Sequence, residues 1–597
     1  MLRLLLLVPL LALFAPVACG DTPPDPKPDS GTAVIDSGTS SGDTDAGTGQ
    51  GDAGTSPVDS GTGEPDSGTG TDDAGTGTND AGTGTDDAGT GTDDAGTGGQ
   101  DAGTDDAGTG TGDAGTGGQD AGTGGQDAGT DGGVACTPSG WDAGTGNPDV
   151  VADTSADILV RLRAIPGLTV AENPEGRVLR PGYRYFVMTY NQPADHAHPE
   201  CQRFAQRVTL LHTSVTAPMV LHTGGYFVSL TAARAEPTQV LASNQLSVEH
   251  RFFPPSIPEP ADWSQLTIRQ SADDFHRITQ AFKPIYTAKW VSTGTSKGGE
   301  TMVFFRRFYP DDVDATVAYV APIARRNDER FPVFQAMVGG DDQLACRERL
   351  WAFQREVLSR RERMLDRLRA FAQDNGLTYT RLGFERALEH AVIETFFGFW
   401  QYGTPSTCAE RIPDTTATDE ALLAALNDVV GLSTFSDREV NRYAAYYYQA
   451  ALELGWPQPY EAHLGALIHH PDTDTGDVYS PAGVPFVHRP QAMPDIQDWV
   501  ATHGQRLMFI YGGFDPWTAA AYGLGNAQDS YFYMVPGGNH GARMLQLPGN
   551  QWSESMEILE RWMGVSSLKR AHTVSLEEEP PLFAPHLPPR LRTDEAH

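Results

Sequence analysis

The chain has 597 residues with 78 acidic and 42 basic side chains, and its formal net charge at pH 7 is −36. Much of this charge lies in residues 20–135, and the mildly acidic remainder of the chain argues against a nucleic acid partner. The length exceeds the usual size of one domain, and the composition changes sharply along the chain.

Residues 1–18 predict a signal peptide, because a leucine-rich run too short to span a membrane follows an early arginine. Cys19 is a candidate for lipidation, although Pro16 stands where lipoprotein cleavage sites usually carry an aliphatic residue. Simple secretion is the alternative. We therefore expect an exported protein, either a bacterial cell envelope lipoprotein or a secreted one, with a membrane contact only through an N-terminal lipid.

Residues 19–149 predict a disordered linker. The motif DAGT occurs a dozen times, and residues 20–135 hold 24 acidic side chains against a single lysine. With no aromatic and almost no aliphatic residues among the repeats, the segment cannot bury enough surface to offset the entropy of ordering. A calcium-binding β-roll is the alternative, but it needs an aliphatic residue in each repeat. We expect no metal site.

Residues 150–327 predict the first part of an α/β core. Four runs have the composition of strands, namely RYFVMTYNQP, FAQRVTLLHTS, APMVLHTGGYF and NQLSVEHRFF. The helical repeat ADDFHRITQAFKPIY, the strand AKWVSTG, the helix KGGETMVFFRRFY and the strand DATVAYVAPI follow. This alternation predicts a mostly parallel sheet with helices on both faces.

The motif GTSKG, residues 294–298, lies between a predicted strand and a predicted helix. The G-x-S-x-G pattern in that context is typical of a nucleophile elbow, whose tight turn requires small neighbours and lifts Ser296 above the sheet. The backbone N–H of Lys297 and one from Gly225 or Tyr226 would form the oxyanion hole. For the glycines at 224–225, a plain tight turn is the alternative.

Residues 328–495 predict a helical cap, because CRERLWAFQREVLSRRERMLDRLRAFAQDNG and the two segments after it repeat apolar residues at helical spacing. Residues 496–570 predict the second part of the core, and 571–597 a C-terminal tail. The strand RLMFIY leads to Asp515, and SYFYMV leads to His540. This chain order and position predict a Ser296–Asp515–His540 triad, although each residue alone is more often a turn residue.

Four cysteines besides Cys19 predict two disulfides in an exported protein. Three pairings are open, and we favour Cys136–Cys201 and Cys346–Cys408 because each closes the shorter loop.

The segments WVSTGTSKGGETMVFFRRFYPDDVDATVAYVAP, LSVEHRFF, GGFDPW and GGNH together resemble the secreted bacterial tripeptidyl aminopeptidases of the PS-ten type. That family of serine peptidases is related to prolyl carboxypeptidase and dipeptidyl peptidase II. The resemblance covers about residues 150–570. It implies an α/β-hydrolase with a helical cap, which needs no cofactor and releases short peptides, tripeptides by preference, from free N-termini. By motif match, it implies the same triad.

An aminopeptidase must bind the substrate's ammonium, and a carboxylate near the nucleophile does so most simply. The candidates are Glu249, Glu300 and Asp328, each of which is more often a structural ion-pair partner. Glu300 stands where the resembling sequences usually carry an apolar residue. Two rival functions remain open at this stage: an esterase or lipase with the same triad, and a non-catalytic binding protein that keeps the fold.

Overall fold

The computed structural model describes residues 146–565. The predicted signal peptide, Cys19, nearly all of the linker, Cys136 and the C-terminal tail lie outside the described residues. No helix in the described range is both long enough and apolar enough to cross a membrane.

The core is a nine-stranded mixed sheet. Its strands are β1 (Leu168–Glu172), β2 (Arg184–Pro193), β3 (Arg203–His212), β4 (Met219–His222), β5 (Asn244–Val248), β6 (Trp290–Thr295), β7 (Ala315–Tyr319), β8 (Leu507–Gly512) and β9 (Tyr531–Val535). Their order is β1-β2-β3-β5-β4-β6-β7-β8-β9. The first three strands pair antiparallel, and β3 meets β5 antiparallel. From β5 to β9 all pairs are parallel. The predicted α/β-hydrolase fold is thereby confirmed.

Sixteen α-helices surround the sheet within residues 146–565. They are α1 (Pro148–Ala152), α2 (Ile158–Arg163), α3 (Glu236–Leu241), α4 (Ile268–Phe282), α5 (Lys297–Phe308), α6 (Arg330–Met337), α7 (Leu344–Ser359), α8 (Arg361–Asp374), α9 (Phe384–Tyr402), α10 (Cys408–Arg411), α11 (Asp419–Val430), α12 (Asp437–Arg442), α13 (Ala444–Gln449), α14 (Gly476–Tyr479), α15 (Ala492–His503) and α16 (Gln551–Met563).

Helices α6 to α14 lie between β7 and β8, and no described strand interrupts them. They form the cap. A single apolar cluster runs from the cap, where Phe353 and Trp400 are buried, to Tyr226 and Phe253 on the core. Cap and core therefore share a continuous hydrophobic interior, which explains how a helical insertion between two strands keeps its position over the sheet.

The cap is also cross-linked and clamped. Cys346 and Cys408 form a disulfide, as predicted, between the start of α7 and the start of α10. Cys201 is disulfide-bonded as well, and its predicted partner Cys136 lies outside the described residues. Glu453, in a π-helical turn (Ala450–Leu454), accepts a hydrogen bond of 2.8 Å from the N–H of Ile268 at the start of α4.

Candidate active site

Ser296 occupies a strained turn between β6 and α5. Its φ of 55° and ψ of −127° are unusual for a residue with a side chain. Its N–H donates to Tyr319 O at 2.8 Å, at the end of β7. A Cβ at Gly298 would collide with the carbonyl oxygen of Thr223, so only glycine fits there. The chain can form this tight turn because the glycines next to Ser296 have no side chain that would collide with the neighbouring backbone.

Asp515 and His540 meet at the same edge of the sheet. The Asp515 Oδ2 atom lies 2.7 Å from His540 Nδ1, and both side chains are fully buried. Asp515 Oδ1 also accepts from the N–H of Trp517 at 3.1 Å. The contact between Asp515 Oδ2 and His540 Nδ1 assigns the proton of the neutral imidazole to Nδ1, which leaves Nε2 as the basic nitrogen. Among the described residues, His540 Nε2 is buried and has no hydrogen-bond partner, so it is available to accept a proton.

Trp517 connects this pair to the serine. Its ring lies 6.5 Å from the His540 ring, centroid to centroid, and it lines the same pocket as Ser296. The parallel pairs from β6 to β9 place the carboxyl ends of these strands along one edge, where Ser296, Asp515 and His540 follow three of them. The structure thus brings the acid and the base into contact and places the serine at their edge of the sheet.

The cap holds the histidine loop, a feature that the sequence did not predict. The N–H of His540 donates to Gln401 O at 2.9 Å, in the last turn of α9. Asn539 donates to Tyr402 O at 3.2 Å, and the ring of Tyr402 stands edge-on to His540 at 5.9 Å. The carboxyl end of a 19-residue helix therefore lies beside the imidazole and holds the loop that carries it.

The predicted oxyanion hole needs one correction. Gly225 has a φ of 76°, and a Cβ there would stand 2.7 Å from the carbonyl carbon of Lys297. The N–H of Gly225, however, already donates to Thr223 Oγ1 at 3.1 Å. Gly225 therefore allows the close approach of the two loops, and the N–H groups of Tyr226 and Lys297 remain the candidate donors.

A narrow pocket opens beside Ser296, with a cavity volume of about 10 Å³, enough for roughly one water molecule. The core lines it with Tyr226, Ser296, Lys297 and Glu300, and the cap with Tyr446, Leu454 and Gly455. Pro322, Ala324 and Trp517 complete it. The cap thus closes directly over the serine.

Two of the three carboxylates predicted to bind the substrate have structural roles instead. Glu249 is fully buried and accepts from the N–H of Val228 at 3.1 Å and from Ser256 Oγ at 2.7 Å. Burial raises its pKa to about 7. Asp328 accepts from the backbone N–H groups of Arg325 and Arg330. Neither side chain lines the pocket.

Glu300 does line the pocket, together with Lys297. Both are almost fully buried, at 4% and 2% exposure, and no ion pair joins them within the described range. Burial raises the pKa of Glu300 to about 8 and lowers that of Lys297 to about 7. The Nζ of Lys297 stands 5.6 Å from the centre of the Tyr226 ring. Two titratable side chains thus lie beside the nucleophile. The sequence analysis named Glu300 as a candidate substrate-binding side chain, but it considered only the backbone N–H of Lys297.

Comparison with known proteins gives one family. The model of PS-10 peptidase S37 matches residues 151–584. A prolyl tri/tetrapeptidyl aminopeptidase from Streptomyces mobaraensis is 40% identical over 432 residues, which cover 71% of this chain and 89% of that protein.

Among solved structures, a proline iminopeptidase from Mycobacterium smegmatis is 12% identical and covers 63% of this chain and 98% of its own, with a TM-score of 0.28. An epoxide hydrolase from an endophytic Streptomyces is 17% identical and covers 64% of this chain and 96% of its own, with a TM-score of 0.27. The fold follows from the strand order of the sheet.

Proposed function

Because the chain belongs to the PS-10 peptidase S37 family and is a serine aminopeptidase, we propose that it releases tripeptides or tetrapeptides from free N-termini through an acyl-enzyme. The observation that carries the proposal is the buried Asp515–His540 pair, whose unpartnered Nε2 lies at the sheet edge that also bears Ser296. The length of the released peptide follows the name of the Streptomyces relative.

In the proposed mechanism, Ser296 Oγ attacks the carbonyl carbon of the scissile bond while its proton passes to His540 Nε2. The carbonyl oxygen gains the negative charge and accepts hydrogen bonds from the N–H groups of Tyr226 and Lys297. His540 then gives the proton to the leaving amine as the C–N bond breaks. Water then attacks the resulting ester while its proton passes to His540 Nε2. His540 returns that proton to Ser296 Oγ as the ester bond breaks, which regenerates Ser296.

Asp515 keeps the proton of His540 on Nδ1 and stabilises the imidazolium that forms in the first step. The carboxyl end of α9 positions the histidine, because the carbonyl of Gln401 accepts a hydrogen bond from the backbone N–H of His540.

The cap supports exopeptidase action. Tyr446, Leu454 and Gly455 of the cap line the pocket together with Ser296, and this cover favours the approach of a chain end over that of an internal segment of a folded protein. The substrates in this proposal are therefore short peptides and unstructured N-termini.

We also propose that the protein is exported and held at the cell envelope by a lipid on Cys19, with the DAGT segment as a tether. The support is the sequence alone: an apolar leader before Cys19 and a long acidic segment after it.

Hydrolysis of tripeptidyl p-nitroanilides tests the function. We expect the full-length protein to cleave those with a free N-terminus and to spare their N-acetylated forms and folded casein-like proteins. Ser296→Ala should lower kcat by at least about a thousandfold, whereas Ser264→Ala, an exposed serine far from the elbow in sequence, should not. Equal cleavage of free and acetylated peptides would reject the aminopeptidase assignment.

A further inference from the structure

We propose that Glu249 is a positioning residue, whose carboxylate holds in place the loop that supplies one oxyanion donor, the N–H of Tyr226. The side chain of Glu249 does not line the pocket that contains Ser296, so it acts through the loop and not on the substrate. The inference rests on the proposed peptidase function, and it names the group that keeps the oxyanion hole of that site in shape.

The oxyanion loop, residues 223–228, lies directly against the elbow. A Cβ at Gly225 would stand 2.7 Å from the carbonyl carbon of Lys297 and 2.8 Å from the backbone nitrogen of Gly298. Tyr226 lines the same pocket as Ser296. Within residues 146–565, no protein group accepts a hydrogen bond from the N–H of Tyr226. This donor is therefore available beside the nucleophile, and its value depends on how firmly the loop holds it.

Two consecutive residues after β5 hold the loop on the far side of Tyr226. The Oε1 atom of Glu249 accepts a hydrogen bond from the N–H of Val228 at 3.1 Å. The backbone N–H of His250 donates to Tyr226 O at 2.9 Å. These two hydrogen bonds fix the two peptide groups that follow Tyr226, and they thereby restrict the orientation of the peptide group that carries its N–H.

The near side of the loop is held from the same segment. Thr223 Oγ1 accepts from the N–H of Gly225 at 3.1 Å and donates to Val248 O at 2.8 Å. Residues 248–250 thus hold the loop on both sides of the oxyanion donor. Of the contacts that they make with the loop, those of residues 248 and 250 use backbone atoms, whereas that of Glu249 uses its side chain. A substitution of Glu249 can therefore remove one restraint and leave the others.

The carboxylate of Glu249 is itself held in one orientation. It is fully buried, and its Oε2 atom accepts from Ser256 Oγ at 2.7 Å. Arg207 Nη1 lies 3.5 Å from Oε1, and the N–H of Arg207 donates to Ser256 Oγ at 2.9 Å. The carboxylate cannot turn away from Val228 without losing these partners, so its acceptor atom is preorganised for the loop.

This arrangement predicts an effect on the chemical step and not on substrate binding. The carbonyl oxygen of the scissile bond gains its negative charge only as the tetrahedral intermediate forms. A donor that is misplaced by a loose loop therefore weakens the transition state more than the bound substrate.

The test measures kcat and KM for Ala-Ala-Pro p-nitroanilide and the Ki of the corresponding peptide boronic acid, which forms a tetrahedral adduct with the serine. With the full-length protein, we expect Glu249→Leu to lower kcat and to raise this Ki, each by at least about tenfold, while KM changes by less than about threefold. Glu249→Gln keeps an oxygen for the N–H of Val228 and should bring both values to within about threefold of the parent protein. Ser256→Ala should act in the same direction as Glu249→Leu but less, because the carboxylate loses only the hydroxyl group that orients it.

Glu389→Leu is the matched control. The carboxyl group of Glu389 is also fully buried, and it accepts from the backbone N–H groups of His469 and His470 in the cap. This variant should lose thermal stability as Glu249→Leu does. Its kcat and Ki should stay within about threefold of the parent protein, because Glu389 holds no part of the oxyanion loop.

Three results would overturn the inference alone. They are an unchanged kcat in folded Glu249→Leu, a Glu249→Gln variant as impaired as Glu249→Leu, and a lower kcat with an unchanged Ki. If Glu249→Leu did not fold, the Ki measured with Ser256→Ala would decide in its place, and no increase in that Ki would overturn the inference. A parent protein that cleaves no tripeptidyl p-nitroanilide would instead reject the proposed function.

Discussion

At the scale of single residues, the elbow around Ser296 depends on a glycine, which has no side chain to collide with the neighbouring loop. Gly298 packs against Thr223 O so closely that a methyl group has no room. We expect Gly298→Ala to displace the oxyanion loop, to lower kcat/KM by at least about a hundredfold and to destabilise the protein by about 1–3 kcal/mol. Gly523→Ala is the control, because its Cβ would meet only the end of Gln497 at 3.7 Å. Kinetics and thermal unfolding of both variants test this, and equal effects would contradict it.

The charge of the pocket beside Ser296 should depend on pH. As pH rises from 6 to 9, Lys297, with a pKa of about 7, loses positive charge and Glu300, with a pKa of about 8, gains negative charge. The pKa values of the facing tyrosines, Tyr226, Tyr446 and Tyr522, are raised by burial, so these side chains stay neutral. Both titrations make the pocket less positive as the pH rises.

The sequence predicted that Ser296, Asp515 and His540 lie at one edge of the sheet, because each stands after a strand, in a glycine-rich turn and in a fixed chain order. The carboxylates could not be ranked in the same way. Glu249 is occupied by Val228 and Ser256, and Glu300 is not, and this difference depends on how distant segments meet. The sequence around each glutamate does not show this difference.

At the scale of elements, α9 connects the cap to the chemistry. Asn539 donates to the carbonyl groups of Tyr402 and Gly403 at 3.2 and 3.4 Å, and its Oδ1 accepts from the N–H of Gly541. We expect Asn539→Ala to lower kcat about five- to fifty-fold with little change in KM, because it loosens the histidine loop without altering the pocket. Steady-state kinetics decide this, and a change confined to KM would speak against a positioning role.

The clamp between cap and core should act mainly on binding. Glu453 accepts from the N–H of Ile268 and from Arg489, and its neighbours Leu454 and Gly455 line the pocket. We expect Glu453→Ala to raise KM several-fold and to cost about 1–3 kcal/mol, since the buried N–H of Ile268 loses its partner. Glu453→Gln keeps an acceptor and should cost less. If the glutamine variant were as impaired as the alanine variant, the lost hydrogen bond would not be the cause.

The elements themselves were largely predictable. The parallel strands β4 to β8 are buried along their whole length, whereas β1 is a five-residue, partly exposed edge strand that the sequence does not predict. The arginine-rich segment CRERLWAFQREVLSRRERMLDRLRAFAQDNG has helical spacing throughout and predicts one helix, but it forms two, α7 and α8. It breaks at Arg360, whose side chain binds Asp419 Oδ1 and Ala417 O near the start of α11. A tertiary contact of this kind overrides helical periodicity.

At the scale of the whole molecule, the sheet accounts for how residues hundreds of positions apart meet. The cap is inserted between β7 and β8, so the chain leaves the sheet and returns to its edge before the acid and the base appear. The insertion therefore separates Ser296 from its partners in sequence while it covers them in space. The strand order determines this arrangement. For that reason, the order of serine, acid and histidine along the chain already indicated that the three residues lie at one edge of the sheet.

Labelling of the full-length protein with a fluorophosphonate, followed by mass spectrometry of its peptides, tests the central claim most directly. The account predicts one adduct on Ser296, and its loss in both Ser296→Ala and His540→Ala, because without the imidazole the hydroxyl is not activated. An adduct on another serine, or undiminished labelling of Ser296 in His540→Ala, would contradict it.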